Sequence, residues 1–407
     1  MNHTERRILL ITCVGHFLSH YNMLVFSALV LPLAGLLHLD MASVLGLSFW
    51  MYLLFGLTAL SWGLIGDRWS GKSLMLIMFA GCGMSALAAA YSINSPMKLS
   101  LALAGVGLFS GIYHPIGMGL ISKGVNRVSL AMGYNAAFGG LGLVAPPLVT
   151  GILNWLSGPA AAFVFVGALN LAGLALMALL PLTEPARHKD SSDEGENGRL
   201  GAFLILLVAM MVAGVAYTGS TLILPTYIEL KSPGIIEAVS GWWGGRLSGN
   251  LVATTITALI YIVGMTGQYI GGHVGERWDQ RYSYLAFHLV CIPAAFLMAY
   301  AQNLPLMGLA AIYFFCMLGN QPIENTLVAY LTPRRLHHSA FGLKFVLTFG
   351  VGALAVKMIQ WIDRQWGIEA TFVALGITSV VLVTSIVCLI LQTNRSAVKR
   401  TGVLVEF

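Results

Sequence analysis

The sequence predicts an all-α membrane protein of twelve transmembrane helices, arranged as two pseudo-symmetric six-helix halves. Three observations carry that expectation. Only 9% of the 407 residues are Asp, Glu, Lys or Arg and 57% are apolar, whereas a soluble chain needs about 25% charged residues to cover its surface. The apolar residues fall into twelve runs, each reaching the roughly 20 residues that a helix needs to cross the hydrocarbon core. A short pattern also recurs 209 residues further along the chain. Composition alone excludes a soluble multidomain enzyme, a disordered chain and a fibrous one.

In chain order the runs lie near 8–37, 43–65, 73–93, 99–122, 129–156 and 160–181, then 201–229, 249–273, 282–301, 304–331, 339–362 and 368–391. The first follows Arg6 and Arg7 as a secretory leader would. It is too long for one and has no small-residue cleavage site, so it counts as a span. The one long polar run, Glu184 to Arg199, reads as a flexible linker. It divides the chain into an N-terminal half (1–183), a cytoplasmic linker (184–199), a C-terminal half (200–391) and a cytoplasmic tail (392–407). Cys13, Cys82, Cys291, Cys316 and Cys388 all lie in apolar runs without CxxC spacing. They read as small buried side chains rather than disulfides or a zinc site.

The charge balance is +6, and its placement explains it without nucleic acid. Arg6, Arg7, Arg68, Lys72, Lys123, Arg127, Arg187, Lys189, Arg199, Arg277, Arg281, Arg334, Arg335, Arg395, Lys399 and Arg400 flank one side of the predicted bundle. The opposite side has Lys98, Lys231, Arg246 and Arg364, while Lys344 and Lys357 fall inside spans. Basic residues concentrate on the cytoplasmic side of membrane proteins, so both termini are expected there and the chain in the inner membrane.

Gly63-Leu-Ile-Gly-Asp67-Arg68-Trp69-Ser-Gly-Lys72 follows the second run, and Gly272-His-Val-Gly-Glu276-Arg277-Trp278-Asp-Gln-Arg281 follows the eighth. His114-Pro115-Ile116 in the fourth run answers Gln321-Pro322-Ile323 in the tenth at nearly the same offset. The chain reads as a duplicated six-helix unit, and parallel repeats of this kind place a substrate site between the halves near mid-membrane. These residues resemble the major facilitator superfamily over essentially the whole chain. The Asp67-Arg68 loop is similar to that superfamily's G-x-x-x-D-R-x-G-R-K loop, with Ser70 and Gly71 where Gly and Arg are usual. Gly133, Gly142, Pro146-Pro147 and Thr150-Gly151 resemble its antiporter pattern, with two glycines replaced. His16, then Pro32, with Tyr113-His114-Pro115, resembles the fosmidomycin-resistance-type exporters, although His20 stands where that branch often has an acid. The resemblance implies a cavity lined by spans 1, 4, 7 and 10, alternating access, and loops at Asp67, Arg68, Glu276 and Arg277 that help gate it. An acid there can also favour the positive N-terminus of the next helix or pair with a neighbouring Arg.

Ionisable side chains inside a span are costly and normally face a bundle interior or a watery cavity. The candidate substrate and proton cavity accordingly comprises His16, His20, His114, Tyr217, Tyr261, Gln321, Glu324, Asn325 and Lys344. Glu324 and Lys344 lie at matching depths of adjacent spans and are expected to form an ion pair. His16 and His20, spaced i and i+4, can chelate a metal with His114 as third ligand; no resident metal or other cofactor is expected. No nucleophile constellation suits an enzyme, and no strand–glycine loop–helix context suits a nucleotide. The function expected is proton-coupled export (antiport) of a small organic compound by a monomer in the bilayer. Uptake by symport, facilitated passage of an organic anion, metal transport through the histidines and a receptor role are the alternatives.

Overall fold

The computed structural model describes residues 1–181, 200–332 and 337–401. The predicted linker at 184–199, Arg334, Arg335 and the last residues of the predicted tail lie outside them. Among the described residues the protein is helical with no strand, and twelve segments are long and apolar enough to cross a membrane. Spans 1–6 are His3–Leu37, Met41–Gly66, Gly71–Tyr91, Pro96–Gly124, Leu130–Ser157 and Pro159–Leu179. Spans 7–12 are Leu200–Lys231, Gly249–Arg277, Gln280–Met298, Asn303–Leu331, Ala340–Trp366 and Glu369–Asn394. The last helix runs on to Thr401, past the predicted start of the tail. The end of the bundle holding His3, Gly66 and Gly71 is called the terminal end below, and its opposite the far end.

Several spans are broken, and proline chemistry explains where. A proline lacks an N–H and its ring crowds the carbonyl four residues earlier. Span 4 therefore divides into Pro96–Ser110 and Tyr113–Gly124, just ahead of Pro115. Span 10 divides into Asn303–Gly319 and Gln321–Leu331, just ahead of Pro322. In span 1 a 3-10 turn at Phe26–Leu29 precedes Pro32, which cannot bond the Ala28 carbonyl. Span 11 carries a π-helical turn at Val346–Val351, a widening that recurs at functional sites.

The two sequence repeats pack against each other in each half. Gly63 and Gly66 lie on Pro115 and Ile116, where a Cβ on Gly66 would come within 2.3 Å of Ile116 Cδ1. Gly272 and Gly275 lie in the same way on Pro322 and Ile323. The glycines let neighbouring helices close to backbone contact, which supplies dispersion energy where lipid removes the hydrophobic drive. Each loop's terminal base then ties down the last span of its own half. Lys72 Nζ donates to the Leu180 carbonyl (2.9 Å) beyond span 6. Arg281 Nη1 donates to Thr393 Oγ1 (2.7 Å) and Asn394 Oδ1 (2.9 Å) at the end of span 12. Arg281 also hydrogen-bonds Asp279, which holds that carboxyl below the usual carboxylate range.

Between the halves, polar contacts close the far end. Asn154 Nδ2 donates to Asn250 Oδ1 (3.0 Å), Trp155 Nε1 to the Arg246 carbonyl (3.0 Å), and Arg364 Nη2 to Ser43 Oγ (2.9 Å). Asn250 Nδ2 reaches the Ala28 carbonyl (2.9 Å) that Pro32 leaves without a helical donor, and also Glu229 Oε2 (3.1 Å). The Asn250 amide thus joins spans 1, 5, 7 and 8 at one point. Near mid-depth the halves meet through Gly56 and Gly350, so closely that a Cβ on Gly56 would lie 2.0 Å from the Gly350 nitrogen.

Candidate substrate and coupling site

The broken helices and the half-to-half seam surround a small chamber. Span 1 contributes His20, Met23 and Leu24, span 2 Tyr52 and Phe55, and span 5 Leu143. From the other half come Tyr217, Thr218 and Thr221 of span 7 and Phe349 of span 11, on its π turn. The wall is mostly apolar and aromatic, with a few hydroxyls and one imidazole. The cavity is about 20 Å³, room for little more than a water molecule, so a small organic molecule needs these walls to part before their rings and hydroxyls can hold it. Tyr52 is held by its hydroxyl on the Met23 carbonyl (3.0 Å). Tyr261, expected in the cavity, is buried just behind it and points its hydroxyl at the Thr221 carbonyl (3.4 Å).

His16, His20 and His114 come together at the chamber's edge. His16 hydrogen-bonds the Asn135 carbonyl through Nδ1 (2.9 Å) and stacks on Tyr113. Gly139 leaves room for that ring, since a Cβ there would lie 2.5 Å from His16 Cε1. His114 stacks on Phe345 of the other half, with ring centroids 4.7 Å apart. Phe345 is the residue after Lys344, so the backbone of span 11 links the histidine cluster to the buried charges.

Glu324 and Lys344 form the expected ion pair. Lys344 Nζ lies 2.6 Å from Glu324 Oε1 and both residues are buried, at 6% and 5% exposure. Asn325 Oδ1 accepts a further bond from Lys344 at 2.6 Å. Tyr284 of span 9 donates its hydroxyl to Glu324 Oε2 at 2.7 Å. Removing two charges from water costs several kcal/mol per ion, repaid only by good geometry and additional hydrogen bonds. This pair has both. Gln321, expected beside Glu324, turns instead to span 8, where Gln268 Nε2 donates to its Oε1 (2.8 Å). Asp67, Arg68, Glu276 and Arg277 are exposed at the terminal end, and among the described residues they form no ion pair.

Sequence reading missed Tyr284, Asn250 and Glu229. Span 9 reads as peripheral, and its signal was a stripe of Tyr284, His288 and Cys291 at helical steps. Asn250 and Glu229 sit where span ends run into polar connections, so neither stands out in a hydropathy scan.

The family model described as Major Facilitator Superfamily matches residues 12–356. The chain belongs to the major facilitator superfamily. No curated protein matches it in sequence. Among solved structures it is similar to a bacterial homolog of the human lysosomal transporter Spinster in an inward-facing, unoccupied conformation. That likeness has a TM-score of 0.77 and 15% identity, covering 97% of this chain and 99% of that one. It is also similar to a nucleoside transporter (TM-score 0.73, 14% identity, 94% and 99% covered). A D-xylose-proton symporter matches with TM-score 0.72 and 13% identity, covering 94% and 97%. At these identities the likeness establishes the fold. As a major facilitator the protein is an integral multi-pass membrane transporter rather than an enzyme, and the chamber between its halves lies where such folds bind cargo.

Proposed function

We propose that this transporter exports a small organic compound in exchange for protons, from an inner membrane in which both termini face the cytoplasm. The observation that carries the reading is the buried Glu324–Lys344 pair, 2.6 Å long, with Asn325 and Tyr284 as its hydrogen-bond partners. A proton arriving on Glu324 removes the pair's attraction and frees Lys344, so the pair can break and reform through an alternating-access cycle. Its place next to Phe345, which stacks on His114, connects that change to the chamber wall. The chamber's aromatic lining and its Thr218 and Thr221 hydroxyls suit a compound with an apolar ring and few charges. With the termini cytoplasmic, the far-end clasp at Asn250 closes the outer face.

The exposed acid–Arg pairs, Asp67-Arg68 and Glu276-Arg277, serve as gate elements made and broken at the inner face. Uptake by proton symport is the second reading, and Lys344 favours it for an anionic cargo. Accumulation of labelled candidate compounds in cells with and without the gene separates the two. Export lowers accumulation when the gene is present and collapses with the proton gradient; a rise in accumulation overturns the export reading.

A further inference from the structure

Three imidazoles from spans 1 and 4 form a nearly equilateral triangle beside the chamber. Ring centroids are 5.0 Å apart for His16 and His20, and 5.5 Å for each of these to His114. One ring nitrogen from each residue lies within 4.8 Å of the other two. The hydrogen bond of His16 Nδ1 to the Asn135 carbonyl fixes the proton there and leaves Nε2 as a lone-pair donor. A backbone carbonyl on the remote nitrogen is the usual support of a metal-bound histidine. His114 Nε2 is buried and has no hydrogen-bond partner among the described residues, although such nitrogens are normally satisfied. His20 lines the chamber itself.

We propose that His16, His20 and His114 bind a divalent transition metal of the zinc class, with a fourth coordination position open to the chamber. Imidazole-only donors suit zinc, copper, nickel or cobalt and not magnesium or calcium. Tetrahedral zinc at about 2.0–2.1 Å from each nitrogen places the nitrogens about 3.3 Å apart. The ring nitrogens lie within 4.8 Å of one another, so binding must draw them together by up to about 1.5 Å. Three neutral ligands leave the metal's charge uncompensated, and Glu324, on the other half, is committed to Lys344. The fourth ligand is therefore anionic: hydroxide, or an acidic group on a molecule in the chamber. This site does not depend on the direction of transport or on proton coupling.

The test uses the full chain purified in detergent, with cobalt(II) as a visible probe and zinc as competitor. One equivalent of cobalt should give the intense visible bands of a tetrahedral imidazole site, displaced by zinc and not by magnesium. His20→Gln and His114→Gln should each weaken binding at least tenfold. His273→Gln, at an exposed histidine of span 8, should leave binding unchanged. His20→Cys should keep the metal and add a thiolate-to-cobalt band in the near ultraviolet, a signature that an altered fold does not create. Absence of saturable binding by the unaltered chain overturns the proposal. So does undiminished binding in both glutamine variants, or cobalt bound by His20→Cys without the new band.

Discussion

Replacing Asn250 with Ala removes the single amide that joins spans 1, 5, 7 and 8. Three hydrogen bonds go at once: those to Asn154, to the Ala28 carbonyl and to Glu229. Only the bonds to Asn154 and to the Ala28 carbonyl cross between the halves, so at about 1 kcal/mol net for each the closed far end loses ~2 kcal/mol. Since 1.4 kcal/mol corresponds to tenfold, the equilibrium between closed and open far end shifts by about thirtyfold. Ser27 reports on this directly, because it neighbours Ala28 at the clasp, is 1% exposed, and donates its hydroxyl to the local Leu24 carbonyl. In a background lacking the native cysteines, Ser27→Cys should react slowly with a membrane-impermeant maleimide. Adding Asn250→Ala should raise that rate by one to two orders of magnitude. Asn250→Asp should raise it further, since it sets a second carboxylate against Glu229. An unchanged labelling rate in both variants would refute the argument that this amide holds the far end shut.

Further outcomes follow from the same geometry. Asp67→Asn and Glu276→Gln should slow transport several-fold while leaving substrate binding intact, as read by equilibrium binding beside initial rates; full rates in both leave these loops with topology alone. Gly271→Ala drives a Cβ to 1.8 Å from the Gly319 carbonyl oxygen, an overpacking worth about 1–3 kcal/mol. Its melting temperature in detergent should fall, and an unchanged melt would contradict the packing at the span 8–span 10 crossing. Reporter fusions after Arg199 and after Phe407 should both register cytoplasm, and an external signal from either would reverse the orientation proposed.

Much of the architecture was legible because hydropathy dominates a chain inside lipid. The twelve runs predicted twelve spans, and the duplicated Gly-x-x-Gly loop and His/Gln-Pro-Ile motifs turned out to be the two sides of one helix contact in each half. The Glu324–Lys344 pair was legible because two opposite charges at equal depth on neighbouring helices have little choice but to meet. What escaped was set by three-dimensional crossing rather than by any local pattern. Asn250 matters because Pro32, more than 200 residues earlier, strands the Ala28 carbonyl opposite it. Tyr284 reaches Glu324 from a span whose sequence looks lipid-facing. Gln321 bonds Gln268 from the first position after the break at Asn320, a break that hydropathy does not register.

The proton dependence of transport in Glu324→Gln, Lys344→Met and the double variant, measured across a pH series, tests the central claim most directly. The buried pair as coupling site predicts that Glu324→Gln and the double variant lose proton-driven transport, while exchange of substrate for substrate persists. Proton-driven transport at the normal rate in Glu324→Gln, or its recovery in the double variant with an unchanged pH profile, would contradict it and leave the pair a structural one.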